Sequence, residues 1–521
     1  MSLPAEVPTW CRVRRGGSAV LLVAPHGGMR RGARPQRGAV KVNDLHTAAL
    51  AEELAAELDA GLIANPVLDR NELDLNRISQ VARAAAWFPA LLEALLGEIL
   101  ERHERAEVLF LHGWNTVQPK CDIGIGHALR GPEDAAAHAG ALTASVAYVA
   151  TRLADLRAAC AVRGIAAPFG ERYPARHANN VLQLFRRRAG GELAPRLRAW
   201  AADGRVDAVQ LELAAPLRWP GPLRPAFAAA MREAFAAPAR ARAASTAAIA
   251  PTASVASAQA PTALQVYDPA CGIGLLARVD PGDGGHVSGR LLLFLGGSRV
   301  ALFTGDDAHP ARLSGGGPHF AADADGLRLT FDGWALCAAD GGLYVDLEQA
   351  LAASHLLAVR ADLVFARRAG DHGRVRGTLT LDGVDQMIDT VGFAPLGGVA
   401  RPADIGWRSH LSLRAGLPSG TAVYVRHRVP GGALVEDHDD AAPITRSLTS
   451  LAVTFDGDPH TPRRIVVGDD AGGLIAEPTA HMAIVRPLAA GRRARVTLGV
   501  ARVERAGAVG FGFYEYARVI D

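Results

Sequence analysis

The segment LLVAPHGG at residues 21–28 decides the fold of the first half of the chain. A short apolar run ends abruptly at Pro25, His26 and two glycines, and such a run is typical of a strand buried on both faces of a sheet. The strand would present His26 at its carboxyl end, where functional side chains gather in parallel α/β sheets. Taken alone, His26 is more simply explained as a turn residue, so the rest of the sequence must decide its role.

Strand-like and helix-like segments alternate from residue 1 to about residue 237. The strand-like runs are AVLLVA, GLIANPVL, AEVLFLHG and VDAVQLEL. Between the first two, LHTAALAEELAAELDA carries leucines at helical spacing, with Asn43 or Asp44 in the position of an N-cap. This alternation predicts an α/β domain at 1–237 with a mostly parallel sheet flanked by helices.

The composition changes twice after this domain. Residues 238–262 are rich in Ala, Pro, Ser and Thr, which is a linker composition. Residues 263–521 contain short runs of alternating apolar and polar residues between Gly-, Asp- and Pro-rich turns. That pattern predicts an all-β domain, either a sandwich or a barrel.

The overall composition argues against several classes of protein. Of 521 residues, 49% are hydrophobic and 21% are charged, which is typical of a folded globular chain. The net charge is +3, and 54 of the 56 basic residues are arginines. The basic residues are not clustered into one face, so we expect no nucleic-acid partner. Five scattered cysteines without a CxxC pair predict neither a disulfide framework nor a thiolate zinc site. No long apolar segment suggests a signal peptide or a membrane span, so we expect a cytoplasmic protein. We also expect its partner to be a small-molecule substrate, while its oligomeric state stays open.

Three strand ends in the first half carry side chains that suit a zinc hydrolase. His26 ends the first strand, His112 follows the apolar run in VLFLHGWNT, and Glu212 lies in VQLELAAPLR. Catalytic zinc needs neutral imidazoles, usually a carboxylate ligand, and an open position for water. A second carboxylate near that water would act as the base. In addition, Asn76 and Arg77 in LDRNELDLNR could clamp a substrate carboxylate.

The order of these motifs resembles the N-formylglutamate amidohydrolase family. PHGG, D-x-H-T, DLNR, LHG and QLEL follow one another between about residues 18 and 220. The region is also similar, more distantly, to aspartoacylase and the zinc carboxypeptidases, which share an α/β fold. The resemblance implies a zinc-dependent hydrolase that cleaves the amide of an N-acylated amino acid. It implies the following roles: zinc ligands His26 and His112, substrate-carboxylate ligands Asn76 and Arg77, and water-activating base Glu212.

One departure concerns the carboxylate ligand of the zinc ion. Relatives with an H-x-x-E motif supply it three residues after the first histidine, where this chain has Met29. Asp44 in VNDLHT is the best substitute, because the formylglutamate family places an acid in a similar segment. Asp44 is equally explained as an N-cap of the following helix, and Glu72 is a weaker alternative ligand.

Other candidates also have structural explanations. Arg77 and Asp74 could form an ion pair instead of binding substrate. Glu212 lies among apolar residues, where an unpaired carboxylate is costly, so it requires either a partner or a catalytic role. Asn180 is a candidate substrate ligand in the loop GERYPARHANN, which either lines the pocket or lies on the surface. The same loop carries Arg176, His177 and Asn179.

The second half contains one motif of interest, GGVARPADIGWRSHLSLR at 397–414. It resembles the lipocalin-like domains related to carotenoid hydratase and AttH, although the order of Trp407 and His410 differs from theirs. The resemblance implies a lipocalin-like barrel with a hydrophobic ligand, in which Asp404 and Arg408 would belong to the motif. The alternative is an accessory or oligomerising module whose Trp and His pack in a core.

The sequence thus predicts a zinc-dependent hydrolase of N-acylated amino acids, N-formyl amino acids included, or of related carboxylates. Two other functions stay open: a metal-free binding protein, and a hydratase or isomerase of the β-rich half that acts on an apolar ligand. The acyl group, the amino acid and the native metal are not specified by the sequence.

Overall fold

The structure is a computed structural model that divides into two compact units, Met1–Pro251 and Thr252–Asp521. It describes residues 4, 6–29, 41–187, 192–236, 262–281, 287–307, 317–323, 326–369, 371–394, 409–419, 421–429, 433–438, 444–455, 457–469, 472–487 and 492–520. Most of the predicted linker at 238–262 lies outside these residues, and Thr262 begins a strand. The predicted domain limits therefore stay predictions.

The first unit is built on a six-stranded mixed sheet with the order β1-β3-β2-β4-β6-β5. Its strands are β1 Arg12–Arg14, β2 Val20–Ala24, β3 Gly61–Ala64, β4 Ala106–Trp114, β5 Cys121–Gly124 and β6 Val206–Ala214. The four central strands are parallel, whereas both edge strands are antiparallel. The expected mostly parallel sheet is therefore correct for the centre and wrong at the edges. β5 runs antiparallel because the chain turns back after β4 and pairs with β6.

Helices cover both faces of this sheet and bury two apolar cores. They are α1 Thr47–Glu57, α2 Ile78–Ala84, α3 Trp87–Arg102, α4 Val146–Tyr148, α5 Ala154–Val162, α6 Pro195–Ala202, α7 Ala215–Arg218 and α8 Leu223–Phe235. A π-helical turn at Val149–Leu153 joins α4 to α5, and 3₁₀ segments span Pro132–Ala141 and Val181–Phe185. The predicted N-cap is wrong, because α1 starts at Thr47 after His46, and no side chain caps it. Asp44 is thus available for another role.

Two glycines let the chain pack tightly where β2 ends. A Cβ on Gly27 would lie 2.4 Å from the Ala48 side chain, and one on Gly28 would lie 2.4 Å from the Leu68 carbonyl oxygen. Real Cβ contacts are essentially never this short, so both positions require glycine. The PHGG segment therefore brings the start of α1 and the loop after β3 against the end of β2, which is where His26 lies.

The described residues of the second unit form two nine-stranded antiparallel sheets. The first has the order β10-β9-β8-β7-β15-β14-β13-β12-β11 and is nearly closed into a barrel by the pairing of β10 with β12. Its strands are β7 Thr262–Asp268, β8 Ile273–Pro281, β9 Val287–Phe294, β10 Val300–Asp307, β11 His319–Asp323, β12 Gly326–Ala338, β13 His355–Ala369, β14 His372–Leu381 and β15 Val384–Phe393. A 3₁₀ segment Gly341–Val345 and α9 Leu347–Ala352 lie between β12 and β13.

The second sheet has the order β19-β18-β17-β16-β24-β23-β22-β21-β20. Its strands are β16 Ser409–Gly416, β17 Ala422–Val429, β18 Ala433–His438, β19 Ile444–Arg446, β20 Leu448–Phe455, β21 Pro462–Asp469, β22 Leu474–Pro487, β23 Arg493–Arg505 and β24 Ala508–Ile520. The predicted all-β character of this half is confirmed. Of the motif at 397–414, Asp404, Trp407 and Arg408 lie outside the described residues, while His410 is buried in β16.

Two further observations concern the chain as a whole. All five cysteines are free. Among the described residues, no helix is both long enough and apolar enough to cross a membrane.

Candidate active site

Two histidines and one aspartate of the first unit converge in a buried cluster. His26 lies just after β2, and its backbone oxygen accepts a 2.8 Å hydrogen bond from the backbone nitrogen of Asp44, which holds the 41–46 segment beside it. His112 lies in β4, the neighbouring strand. The Oδ2 atom of Asp44 is 3.2 Å from Nδ1 of His26 and 3.1 Å from Nδ1 of His112. The sequence-predicted ligand set is therefore brought together, with Asp44 as its carboxylate.

The cluster has the donor set and the spacing of a zinc site. One ligand atom from each residue lies within 4.8 Å of the others, and all three residues are buried. Ligands of tetrahedral zinc at about 2.0–2.1 Å from the metal lie about 3.3 Å from one another, close to the two distances observed. The residues present therefore fit a zinc ion with an open fourth position.

A second carboxylate fixes the orientation of His26. Asp74 accepts a 2.8 Å hydrogen bond from Nε2 of this histidine. Because a carboxylate can only accept, Nε2 carries the proton, and the Nδ1 lone pair of a neutral His26 faces Asp44. Two facing lone pairs repel, and a cation between them removes the repulsion. Pairing of a metal-binding histidine with an outer carboxylate is a recurrent feature of metal sites.

Cations keep both carboxylates ionised. Burial alone would raise the pKa of Asp44, but the nearby Arg70 and the two histidines hold it well below its ordinary value. Arg70 donates to Oδ1 of Asp44 at 2.9 Å. Despite the opposing effect of burial, His26, Arg70 and Lys41 likewise hold the pKa of Asp74 well below its ordinary value.

Two of the surrounding cations reach solvent. Lys41 donates to Oδ2 of Asp74 at 2.6 Å, and Nε of Arg77 lies 3.6 Å from the same oxygen. Their side chains are 40% and 38% exposed, in contrast to the buried carboxylate between them. Arg77 therefore makes the ion pair considered from the sequence and also presents an accessible cation beside the cluster.

Glu212 lies beside His112 on the neighbouring parallel strand. The two residues are directly paired in the register of β4 and β6. Burial raises the pKa of Glu212 to about 7 against the opposing effect of His112. Gln210 donates to Oε1 of Glu212 at 2.7 Å, which fixes the carboxyl group. A fixed carboxyl group that exchanges a proton near neutral pH suits a general base.

The amide of Asn180 serves the protein itself. Its Nδ2 donates to Oε1 of Gln210 at 3.0 Å, and its Oδ1 accepts from the backbone nitrogen of Leu182 at 2.8 Å. Asn180 thus supports the glutamine that holds Glu212. Its predicted contact with substrate stays a prediction.

The remaining candidates lie around the cluster. Asn76 is half-buried, and its backbone nitrogen donates to Oδ1 of Asp74 at 3.1 Å. Glu72, the weaker alternative ligand, is exposed and does not belong to the cluster. Of the 170–180 loop, Arg176 and His177 are exposed, and Asn179 binds the start of α2 through the backbone nitrogen of Ser79.

Sequence reasoning missed three supporting residues: Lys41, Arg70 and Gln210. Gln210 carried a usable signal, because residues two apart on a strand lie on the same face. Lys41 and Arg70 reach the site from loops and carried none.

Replacing Asp74 by Asn tests the role of this outer carboxylate. An amide at this position no longer enforces a proton on Nε2 of His26, and loss of such a partner typically lowers metal affinity about 10–100-fold. We expect a loss of this size in a calorimetric zinc titration. The exposed Asp59→Asn exchange, before β3 at the opposite edge of the sheet, is the matched control and should leave the affinity unchanged. Equal affinities in both variants would show that Asp74 does not orient a ligand.

Comparisons with known proteins complete the description of the chain. No protein-family model and no curated protein matches the sequence. The solved structures that are similar to parts of it include the following three. An AttH-like protein of Nitrosomonas europaea is 12% identical, covers 49% of this chain and 90% of its own, and has a TM-score of 0.32. Kievitone hydratase of Nectria haematococca is 9% identical over 50% of this chain and 88% of its own, with a TM-score of 0.31.

The third similar structure is N-formylglutamate amidohydrolase of Ralstonia eutropha. It is 14% identical over 43% of this chain and 95% of its own, with a TM-score of 0.30. The structural neighbours thus include both kinds of protein that the motifs resemble.

Proposed function

We propose that the first unit is a zinc-dependent hydrolase that cleaves the amide bond of an N-acylated amino acid, or of a related substrate with a carboxylate. The observation that carries this proposal is the convergence of two imidazole Nδ1 atoms on Asp44, with Glu212 beside His112 on the next strand. A structural ion-pair cluster would explain the carboxylates and cations. It gives no reason for Gln210 to fix a second carboxyl group, that of Glu212, directly beside His112.

His26, Asp44 and His112 would hold the zinc ion. When bound, zinc supplies Lewis-acid polarisation of the scissile carbonyl and lowers the pKa of water at its open position. Asp74 keeps the proton of His26 on Nε2, and Arg70 keeps Asp44 ionised. These contacts maintain the donor set in the protonation state that a metal requires.

Glu212 would move the proton during hydrolysis. Gln210 occupies its Oε1 atom, so Oε2 is the oxygen that accepts a proton from the attacking water. The same atom then delivers this proton to the nitrogen of the leaving amine, which must be protonated when the amide bond breaks. Burial raises the pKa of Glu212, which favours uptake of the proton by this carboxylate.

Arg77 and Lys41 would bind the substrate carboxylate. Both side chains are partly exposed and lie beside the buried cluster. In an N-acyl amino acid, the carboxylate is one carbon away from the amide nitrogen. A carboxylate held by the guanidinium in a bidentate pair would therefore keep the amide close to the metal ligands.

Hydrolysis of simple N-acyl amino acids tests this function. We expect the zinc-loaded full chain to release free amino acids from a panel of N-formyl and N-acetyl amino acids, and to be much less active on their carboxamide analogues. Release is measured by derivatisation of the new amino group. A zinc-loaded protein that hydrolyses no member of the panel, or that hydrolyses acid and carboxamide equally, would contradict the proposal.

The pKa of Glu212 predicts a pH-dependent zinc affinity. Because burial raises this pKa to about 7, the group is neutral at lower pH and adds a negative charge beside His112 at higher pH. We expect the zinc affinity of the wild type to fall more steeply between about pH 8 and about pH 6 than that of Glu212→Gln, which is neutral throughout. Titrations at several pH values measure both slopes. Since the histidines are common to both proteins, parallel slopes would contradict the assignment.

We propose ligand binding in the second unit as a separate candidate function. Arg414 in β16 is 7% exposed, its Nε has no partner among the described residues, and its Nη1 lies 3.4 Å from Oε1 of Gln265. Its guanidinium also faces the ring of Tyr424, whose hydroxyl donates to Asp371. Leu413 and Ala415, the neighbours of Arg414 on β16, belong to the apolar core of the second sheet, so Arg414 lies on the other face of that sheet, beside Gln265 of the first sheet. A buried guanidinium whose Nε lacks a partner suits the polar end of an otherwise apolar ligand.

A fluorescent fatty acid tests this second function. We expect the full chain to bind it with a rise in fluorescence, and Arg414→Met to bind it more weakly. Exposed Arg360→Met on the first sheet is the control. Absence of binding, or equal binding by both variants, would contradict this function without affecting the hydrolase proposal.

A further inference from the structure

Arg218 is a fully buried arginine at the end of α7. Its hydrogen-bond partners among the described residues are all neutral oxygens. Nε donates to the carbonyl of Leu213 at 3.2 Å, and Nη2 donates to the carbonyl of Trp114 at 3.3 Å and to Oδ1 of Asn115 at 2.8 Å. Nη1 donates to the carbonyl of Leu45.

A buried cation without a directly bonded carboxylate is costly to maintain. Burial lowers the pKa of Arg218 to about 10, so the group stays charged at neutral pH. The anions that favour its charge are Asp44 and Glu212, and its guanidinium lies 4.6 Å from the ring of Trp219. Fold stability alone does not account for a charge at this point, because an apolar side chain of similar volume is often no less stabilising.

The partners of Arg218 are chain neighbours of the site residues. Leu45 follows Asp44 and Leu213 follows Glu212 in the sequence, while Trp114 lies two residues after His112. One planar guanidinium thus joins the loop of the carboxylate ligand to the carboxyl ends of β4 and β6. Its rigid fork fixes three carbonyls at once, which a flexible lysine cannot do.

The sequence makes room for this guanidinium at Gly113. A Cβ at this position would lie 2.7 Å from Cζ of Arg218 and 2.9 Å from Cβ of Asp44. The side chains of Arg218 and Asp44 therefore both pack against Gly113, the one residue of β4 that has no side chain. The φ angle of Gly113 is not positive, so the space, and not the backbone conformation, requires glycine.

We infer that Arg218 is a positioning residue that sets Asp44, His112 and Glu212 relative to one another and so determines the geometry of the metal site. This inference rests on the proposed zinc-dependent function. It assigns to Arg218 and Gly113 a joint role: the glycine creates the space, and the guanidinium fills it and bonds the three segments.

Metal binding by two independent variants tests the inference. Arg218→Lys keeps the charge and removes the fork, and Gly113→Ala pushes the guanidinium and Asp44 apart. We expect each to lower zinc affinity about 10–100-fold, as loss of outer-shell support typically does. We also expect the visible d–d spectrum of the cobalt-substituted full chain to change at saturating cobalt, because the ligand arrangement differs. Gly140→Ala, where a Cβ meets nothing within 4 Å, is the matched control and should behave as wild type.

The outcomes separate this inference from the proposed function. If wild type binds zinc and both variants bind it with wild-type affinity and an unchanged cobalt spectrum, Arg218 is merely structural, even if the melting temperature falls. If Arg218→Lys does not fold, Gly113→Ala decides, since alanine is compatible with its backbone. If wild type itself binds neither metal, the proposed function fails, and the inference fails with it.

Discussion

The Glu212→Gln variant is expected to retain one bound zinc ion and to hydrolyse N-acyl amino acids about 10²–10⁴-fold more slowly than the wild type, the usual contribution of a general base. Glutamine preserves the size of the side chain and a contact with Gln210, but its amide cannot accept a proton from water. The loss should fall mainly on kcat, because the exchange leaves Arg77 and Lys41, the proposed ligands of the substrate carboxylate, unchanged. Single-turnover rates on zinc-loaded protein measure it.

A matched exchange on the surface controls for loss of charge. Glu101 is an exposed glutamate near the end of α3, and Glu101→Gln should keep wild-type activity. If Glu212→Gln turned over at the wild-type rate with zinc bound, another group would have to serve as the base. The strand pairing of His112 with Glu212 would then have only a structural role.

The Asp44→Asn variant is expected to lose more zinc affinity than Asp74→Asn, and thus more than the about 10–100-fold typical of an outer-shell change. Asparagine keeps the shape of the side chain and removes the charge on which both histidine Nδ1 atoms converge. Competitive titration with a chelator of known affinity measures both variants on one scale. The comparison is controlled internally, because both exchanges remove one buried carboxylate beside His26.

The opposite order of affinities would change the assignment. If Asp74→Asn bound zinc more weakly than Asp44→Asn, Asp74 would be the metal ligand and Asp44 the outer partner. Equal and undiminished binding by both variants would exclude either carboxylate from the zinc site.

The sequence was sufficient to predict the strand-borne part of the site. His112 and Glu212 lie at the ends of short apolar runs that are typical of buried strands, and the carboxyl ends of parallel strands meet at one edge. Their proximity therefore follows from local patterns and one general rule. The antiparallel edges of the sheet were not predicted, because the direction of a short edge strand such as β5 depends on which neighbour it pairs with after a turn.

The loop-borne part of the site was harder to predict. Asp44 was named as a ligand, but an N-cap explained the same residue equally well until the structure placed the start of α1 at Thr47. Arg70 and Lys41 bind carboxylates that are far from them in the sequence, and no periodicity in the sequence reveals such contacts. Arg218 was hidden for the same reason, since nothing in APLR indicates that its guanidinium reaches back to Leu45.

In the second unit, the strands were evident but their closure was not. Alternating runs predicted antiparallel sheets, and these are present. The pairing of Val300 with Ala338, which nearly closes the first barrel, joins strands separated by β11 and could not be inferred from any local pattern. The choice between sandwich and barrel depends on such distant pairings.

Metal content is the most direct test of the zinc site. The full-length wild type and His112→Ala should be purified without added metal and compared by elemental mass spectrometry. We expect about one zinc ion per wild-type chain, as in a mononuclear catalytic site, and its loss in the variant. A wild type that contains no zinc, and takes up none on incubation with zinc, would contradict the central claim.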